Sequence, residues 1–170
     1  MTLDQFNQLP DDEARTALER CCRARVWVER VCAGRPFRNR AGLFAAAERA
    51  ADKLRRPDWL EAFAQHPRIG DREALRTKFA ASAAWAGEEQ QGAAAAPAAT
   101  LDLLAEGNRA YEEKFGYIFI VCATGKSADE MLDLLRGRLE NDPDTELVNA
   151  AREQRAITRL RLEKLLGKTA

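Results

Sequence analysis

The sequence predicts an all-α fold in which about eight helices form one compact domain over residues 1–170. Three observations favour it. Apolar residues recur at intervals of three and four along most of the chain, Gly and Pro stand where these runs end, and a single segment has the composition of a strand. A chain of 170 residues is also long enough to bury a core of its own.

The first two helices are predicted from their start signals. Thr2 and Gln5 have the spacing of a capping box, and Pro10 ends the short helix that they begin. Either Asp11 or Asp12 is expected to cap the second helix. The second helix then continues through its apolar residues, Ala17, Leu18 and Cys21.

Three more helices are predicted in the next part of the chain. One spans 26–33 and stops at Gly34, which begins a Gly-Arg-Pro turn signal. The next lies within the Ala-rich residues 39–54. Pro57 suits the first turn of the third helix, which ends before Pro67 because proline disfavours the helical conformation of the residue that precedes it.

The second half of the chain continues the helical pattern. A helix opens at Asp71, and the Ala-rich residues 92–99 are expected to form a mobile loop or a frayed helix. Further helices are predicted over 100–114, 127–140 and 144–166.

Residues 115–123 depart from this pattern. Their sequence, FGYIFIVCA, is aromatic and β-branched, as is typical of a buried strand. A single strand cannot satisfy its own backbone hydrogen bonds, and no partner strand is evident. We therefore expect a short buried helix or an extended segment inside an all-α domain.

Composition excludes several classes of function. Lys and Arg total 27, as do Asp and Glu, so the neutral balance gives no electrostatic signature of a nucleic-acid or anionic-membrane partner. The N-terminus has no apolar signal core, and no apolar run approaches the length of a membrane span. For the same reason the thiols are expected to be reduced and the protein cytoplasmic. The four cysteines form no CxxC pair and there is one histidine, so no metal site is expected.

The single histidine, His66, is the first candidate for chemistry. It is expected at a helix end, where Pro67 favours an extended conformation before it and Gly70 permits a tight turn. Such a loop would hold the imidazole in a fixed direction, as catalytic groups require. The alternative is a helix-terminal histidine that interacts with the last carbonyl groups of the helix.

The second candidate is the polar cluster over residues 85–92, WAGEEQQG. Acidic side chains beside glycine are commonly solvated partners of a helix dipole. The functional alternative is a carboxylate placed beside His66, where it would orient the imidazole or share proton transfer with it.

The third candidate is Arg161, which lies four residues from both Ile157 and Leu165 and so shares their apolar face. Its guanidinium either extends to water or is partly buried opposite an anion, whereas Arg159 is expected to point to solvent.

Residues 123–127, ATGKS, end like a phosphate-binding loop but lack the required upstream glycine, since Ile120 stands there.

Four segments together resemble one family, the OHCU decarboxylases (2-oxo-4-hydroxy-4-carboxy-5-ureidoimidazoline decarboxylases). They occur in the family's order and at roughly its spacing, and the similarity spans residues 6–166. The segments are 65–71 (QHPRIGD), 89–92 (EQQG), 108–123 (NRAYEEKFGYIFIVCA) and 157–162 (ITRLRL).

The resemblance implies an all-helical lyase that converts this ureidoimidazoline to (S)-allantoin without a cofactor, the last step from urate to allantoin. It implies that His66 transfers a proton and that Glu89 is its acidic companion. The substrate pocket would be formed by Pro67, Ala86, Gly87, Glu88, Gln90, Phe119, Ile120, Val121, Cys122, Ala123 and Arg161.

The sequence departs from the family pattern at Ala86, where a serine is frequent, so a hydroxyl contact to substrate is lost or replaced by water. Glu88 is an additional acid beside Glu89, although Glu89-Gln90 fits the motif better.

The resemblance also suggests a homodimer. No second domain like hydroxyisourate hydrolase is expected, and the C-terminus has no SKL-type peroxisomal signal, which favours a bacterial-type cytoplasmic enzyme. The competing class is a non-catalytic helical module that binds a small ligand or a partner protein.

Overall fold

The computed structural model describes residues 1–64, 66 and 98–167, and within these ranges all regular secondary structure is helical. The all-α prediction is confirmed. The described helices are α1 (Leu3–Gln8), α2 (Asp11–Glu19), α3 (Arg25–Cys32), α4 (Arg40–Ala51), α5 (Arg56–Phe63), α6 (Ala98–Phe115), α7 (Ala128–Leu139) and α8 (Pro143–Leu165). None of these helices is both long enough and apolar enough to cross a membrane.

Contacts within the chain group its residues into two compact units. The first contains Met1–Gln65 and Ala151–Ala170, and the second contains His66–Ala150. Helix α8 therefore contributes residues to both units. The expectation of a single domain over residues 1–170 stays a prediction.

The first unit is organised around α3, which packs against α2, α4 and α5. Large apolar side chains fill this core, and Trp27 anchors it by donating its indole N–H to the Ala47 carbonyl at 3.0 Å. Burial of each such side chain stabilises the fold by about 1.5–3 kcal/mol. The largest fully buried side chains of this unit are Phe6, Leu18, Trp27, Leu43, Phe63 and Leu162.

The start of the chain confirms one capping prediction and contradicts another. Thr2 and Gln5 form the predicted capping box. Helix α2, however, begins at Asp11 itself, with Pro10 as its N-cap and no capping side chain, so neither Asp11 nor Asp12 caps it. Both carboxylates lie in the first turn, where they interact favourably with the helix dipole, and that of Asp11 also pairs with Arg35.

Most predicted helix boundaries agree with the structure to within three residues. Among the small differences, α2 ends at Glu19, before Cys21, and α6 begins at Ala98, within the Ala-rich segment predicted as a loop or frayed helix. The helix predicted to open at Asp71 and the rest of the Ala-rich segment, 92–97, lie outside the described residues.

In the second unit, α6 packs closely against α7. Gly107 permits the approach: a Cβ atom at that position would lie 2.7 Å from Cδ2 of Leu135. Leu104, Met131 and Leu135 are fully buried in this core. The crossing places the C-terminal end of α6 beside that of α7, where Lys114 donates to the Leu139 carbonyl at 2.5 Å.

Residues 116–127 connect these two helices without forming a helix or a strand. Gly116 ends α6 in the left-handed conformation, with φ of 78°, and its N–H bonds to the Glu112 carbonyl at 2.9 Å. Ser127 then begins α7 with a capping box to Glu130. Of the two structures expected for 115–123, the structure excludes a helix beyond Phe115.

Candidate functional site

His66 lies at a bend three residues beyond Phe63, the last residue of α5, and its side chain is half-buried. Helix α5 is fixed at its start by Pro57 and by the side chain of Asp58, which accepts from the Arg55 N–H at 2.8 Å. The sequence prediction of a histidine at a helix boundary is therefore confirmed.

The acidic companion predicted for His66 lies in a part of the chain outside the described residues. This applies to Glu89 and to the neighbouring pocket residues Pro67, Ala86, Gly87, Glu88 and Gln90. Their roles, and contact between His66 and Glu89, stay predictions.

The predicted substrate-binding backbone, residues 119–123, is well defined. Phe119, Ile120 and Val121 are buried, whereas Cys122 and Ala123 are partly exposed. Their strand-like composition reflects this burial, because β-branched and aromatic side chains fill a core equally well without a sheet.

Side chains from outside the segment hold its carbonyl groups. Arg138 of α7 donates from Nη1 to the Ile120 carbonyl at 2.6 Å. Lys126 donates from Nζ to the Cys122 carbonyl at 2.8 Å, and its backbone N–H donates to the Ala123 carbonyl at 3.1 Å. These bonds replace the ladder that a strand would need.

Arg138 belongs to a buried polar network. Its Nε donates to the Glu146 carboxylate at 2.6 Å, and Asn141 donates to the same carboxylate at 2.7 Å. The Tyr111 hydroxyl donates to Glu146 as well. The Arg138 guanidinium also lies over the Phe119 ring, 4.8 Å from its centroid. The network therefore joins α6, α7, α8 and the 119–123 segment.

Burial raises the pKa of Tyr111 well above its usual value, and its hydrogen bond to Glu146 acts in the same direction. The phenol therefore remains a proton donor across the physiological range.

Sequence reasoning missed Arg138, Glu146 and Lys126 as contributors to this region. For Arg138 and Glu146, the sequence spacing from apolar residues could have indicated a buried position. Arg138 follows the buried Leu135 by three residues, and Glu146 precedes the buried Ala150 by four, so both share an apolar helix face.

Arg161 lies in the first unit, half-buried on α8, where it donates to the Cys21 carbonyl at 3.4 Å. Its partial burial agrees with one of the two predicted alternatives, whereas the anion that this alternative places opposite the guanidinium stays a prediction. The Arg159 side chain is 57% exposed and pairs with Glu163 at 3.3 Å, as expected for a solvated arginine.

The adjacent thiols Cys21 and Cys22 are buried in the first unit. Burial raises the pKa of the Cys21 thiol to about 12, although the nearby Arg161 charge partly opposes this shift. Burial also raises the pKa of Cys22. Both thiols therefore stay protonated and are poor nucleophiles.

A small groove in the first unit is a separate feature. Trp27, Phe44, Trp59 and Leu162 contribute to its apolar lining, and Arg155 lies over the Trp59 ring, 5.7 Å from its centroid. None of the predicted site residues that the structure describes lines this groove.

The described site residues are divided between the two units. His66 and residues 119–123 belong to the second unit, and Arg161 belongs to the first. Their convergence on one pocket stays a prediction.

Comparisons with known proteins identify the family. The family model for OHCU decarboxylase matches residues 7–163. The 2-oxo-4-hydroxy-4-carboxy-5-ureidoimidazoline decarboxylase of Amia calva is 31% identical over 98% of this chain and 95% of its own length. The Arabidopsis thaliana uric acid degradation bifunctional protein TTL is 36% identical over 88% of this chain. The chain spans 46% of the length of that relative.

Solved structures agree with the sequence comparisons. A crystal structure of OHCU decarboxylase in the presence of (S)-allantoin matches with a TM-score of 0.73 and 33% identity, covering 93% of this chain and 99% of the other. A crystal structure of (S)-allantoin synthase has the same fold, with a TM-score of 0.69 at 18% identity. The chain belongs to the OHCU decarboxylase family.

Proposed function

We propose that this chain is the carboxy-lyase that converts 2-oxo-4-hydroxy-4-carboxy-5-ureidoimidazoline to (S)-allantoin in urate degradation. The observation that carries this proposal is the family match over residues 7–163. The Amia calva decarboxylase, which aligns over nearly the full length of both chains, supports the same activity.

The chemistry of the substrate explains why this reaction needs no cofactor. The departing carboxylate is attached to a ring carbon next to a carbon–nitrogen double bond. When the carbon–carbon bond to CO2 breaks, its electron pair forms a carbon–carbon double bond within the ring, and the electrons of the carbon–nitrogen double bond move to nitrogen, which takes up a proton. The resulting enol then loses its hydroxyl proton, and the neighbouring ring carbon gains a proton to complete allantoin. The protein must supply orientation, a proton on one face and a fixed charge environment.

His66 is the residue that we assign to proton transfer. Its half-buried imidazole lies just beyond the end of α5, and histidine side chains change charge near neutral pH. It would act on the substrate hydroxyl or deliver the proton that sets the (S) configuration, with Glu89 as its orienting carboxylate. Proton transfer of this kind accelerates a reaction by about 10²–10⁴-fold.

Substrate binding is assigned to Arg161 and to the backbone amides of residues 119–123. A guanidinium offers several donors in a planar fork, which suits a carboxylate or an imidazoline oxygen. Pro67, Gly87, Glu88 and Gln90 would shape the remaining wall. Ala86 cannot donate a hydrogen bond from its side chain, so that contact to the substrate would be lost or supplied by water.

The assembly and location that we propose are a homodimer in the cytoplasm. The homodimer is suggested by the family, and the cytoplasmic location is supported by the four cysteines, all of which are free of disulfide bonds. Sedimentation equilibrium at several protein concentrations tests the dimer: a monomer mass throughout would reject it.

The activity is tested with substrate made in place from urate by uricase and hydroxyisourate hydrolase. Addition of this protein should accelerate CO2 release in proportion to its concentration, whereas heat-inactivated protein should leave the spontaneous rate. Release at the spontaneous rate with folded protein present would reject the proposed function.

A further inference from the structure

Two cationic side chains fix the directions of two peptide groups in the 119–123 segment. Arg138 holds the Ile120 carbonyl at 2.6 Å, and Lys126 holds the Cys122 carbonyl at 2.8 Å. Both peptides are trans. In a planar trans peptide the N–H points opposite to the C=O. The N–H of Val121 is therefore directed away from Arg138, and the N–H of Ala123 away from the Lys126 ammonium.

We propose that Arg138 and Lys126 are positioning residues for the decarboxylation, which aim the Val121 and Ala123 amides at polar groups of the substrate. This inference rests on the proposed function, in which the 119–123 backbone binds the ureidoimidazoline. Neither side chain needs to touch the substrate, since each acts through the carbonyl that it holds.

The Arg138 guanidinium is itself held in place. The fully buried Glu146 carboxylate accepts from its Nε at 2.6 Å, and the Phe119 ring lies under the guanidinium. The Arg138 guanidinium therefore donates to the Glu146 carboxylate and to the Ile120 carbonyl at the same time, so it links the two groups. Donors preset in this way cost no reorganisation when the substrate binds.

Lys126 is fixed by the turn in which it lies. Its backbone N–H bonds to the Ala123 carbonyl at 3.1 Å, and the next residue, Ser127, caps α7. The Lys126 ammonium, which lies just before the start of α7, therefore reaches back to the Cys122 carbonyl. A displacement of about 1 Å in such a contact can cost up to about 10²-fold in rate.

The test compares steady-state kinetics, the enantiomeric excess of the allantoin formed, and unfolding in urea. The variants are Arg138→Lys, Arg138→Met, Lys126→Met and the double variant Arg138→Met/Glu146→Met. Arg35→Met is the matched control, because the Arg35 side chain is 8% exposed and holds the Phe6 and Leu9 carbonyls at 2.9 and 2.8 Å in the first unit.

We expect Arg138→Lys and Lys126→Met to fold and to lower kcat/KM by about 10- to 10²-fold, mainly through a higher KM, with less enantiomeric excess. The double variant leaves no buried charge unpaired, so it should be more stable than Arg138→Met alone while it retains the kinetic loss. Arg35→Met should lose stability with an unchanged KM.

Recovery of wild-type kinetics in the double variant would show that Arg138 serves stability alone and would overturn the inference. Unchanged kinetics in both Arg138→Lys and Lys126→Met would overturn it as well. If Arg138→Met does not fold, the kinetics of Arg138→Lys test the inference, since lysine can still pair with Glu146 and keep the protein folded. Absence of turnover in the wild-type protein would instead reject the proposed function.

Discussion

The guanidinium of Arg138 and the carboxylate of Glu146 form a buried ion pair between α7 and α8. Glu146 is 0% exposed and the Arg138 side chain is 11% exposed. The pair is supported by Tyr111 and Asn141, which donate to the same carboxylate. Because every described partner of this carboxylate is a donor, the charge is compensated inside the core.

Removal of one member of this pair should be costly. Arg138→Met or Glu146→Met alone is expected to lower the free energy of unfolding by about 3–5 kcal/mol, because each leaves a buried charge without its partner. The double variant should cost clearly less than the sum of the two. Urea denaturation of the four proteins measures this cycle, and strict additivity would contradict the coupling.

Two helical glycines should respond oppositely to alanine. Gly137 of α7 is exposed and an added Cβ meets no atom within 4 Å, so Gly137→Ala is expected to stabilise the protein by about 0.5–1 kcal/mol. At Gly107 the added Cβ would lie 2.7 Å from Leu135 Cδ2 in a packed core. Gly107→Ala should therefore destabilise the protein, since overpacking costs about 1–3 kcal/mol.

The urea midpoints of these two variants are the measurement. Equal stabilisation by both substitutions would show that α6 and α7 are not in the close contact described above.

The Cys21 thiol should make stability fall at alkaline pH. Its pKa of about 12 in the folded protein lies above the ordinary value of 9.0, so the folded state retains a proton that the unfolded state loses. The contribution is fully present below pH 9.0 and is lost as pH rises through about 12. Within that window the loss approaches about 1.4 kcal/mol per pH unit.

Cys21→Ala removes this contribution. The difference in unfolding free energy between wild type and Cys21→Ala should therefore shrink as pH rises from 9.0 towards about 12. A difference that stays constant over this range would mean that the thiol pKa is not raised.

Arg161 and Arg159 provide a matched pair on α8. Arg161→Lys is expected to raise KM about 10-fold or more, because a charged hydrogen bond to the substrate is lost. Arg159→Lys should leave KM unchanged, since its side chain is 57% exposed and pairs with Glu163. Steady-state kinetics on both variants tests the assignment, and an equal effect of the two substitutions would remove Arg161 from the binding site.

The helices that were predicted well from the sequence are those whose signals are local. The capping box of Thr2 and Gln5 and Pro57 in the first turn of α5 both act within a few residues. The capping of α2 was predicted wrongly because Pro10 takes the N-cap position and has no side chain that can accept a hydrogen bond. The Asp11 carboxylate pairs instead with Arg35, which is distant in the sequence.

The candidate site was predictable only in part, for a related reason. His66 and Arg161 are marked by their own type and spacing. Arg138 and Lys126 act on carbonyl groups of residues 119–123, and the bond from Arg138 to Ile120 spans 18 positions. A single sequence does not show which carbonyl a given cation reaches. The strand-like composition of 115–123 was ambiguous because burial alone accounts for it.

The most direct test of the central claim is the circular dichroism of the allantoin that forms when the ureidoimidazoline is generated from urate in the presence of this protein. We predict rapid appearance of the (S)-allantoin signal with wild type and with the control Arg159→Lys. His66→Ala should remain folded and slow the signal by about 10²–10⁴-fold. A racemic product formed at the spontaneous rate with wild type would contradict the assigned activity, and a near-normal rate in folded His66→Ala would contradict the role of His66.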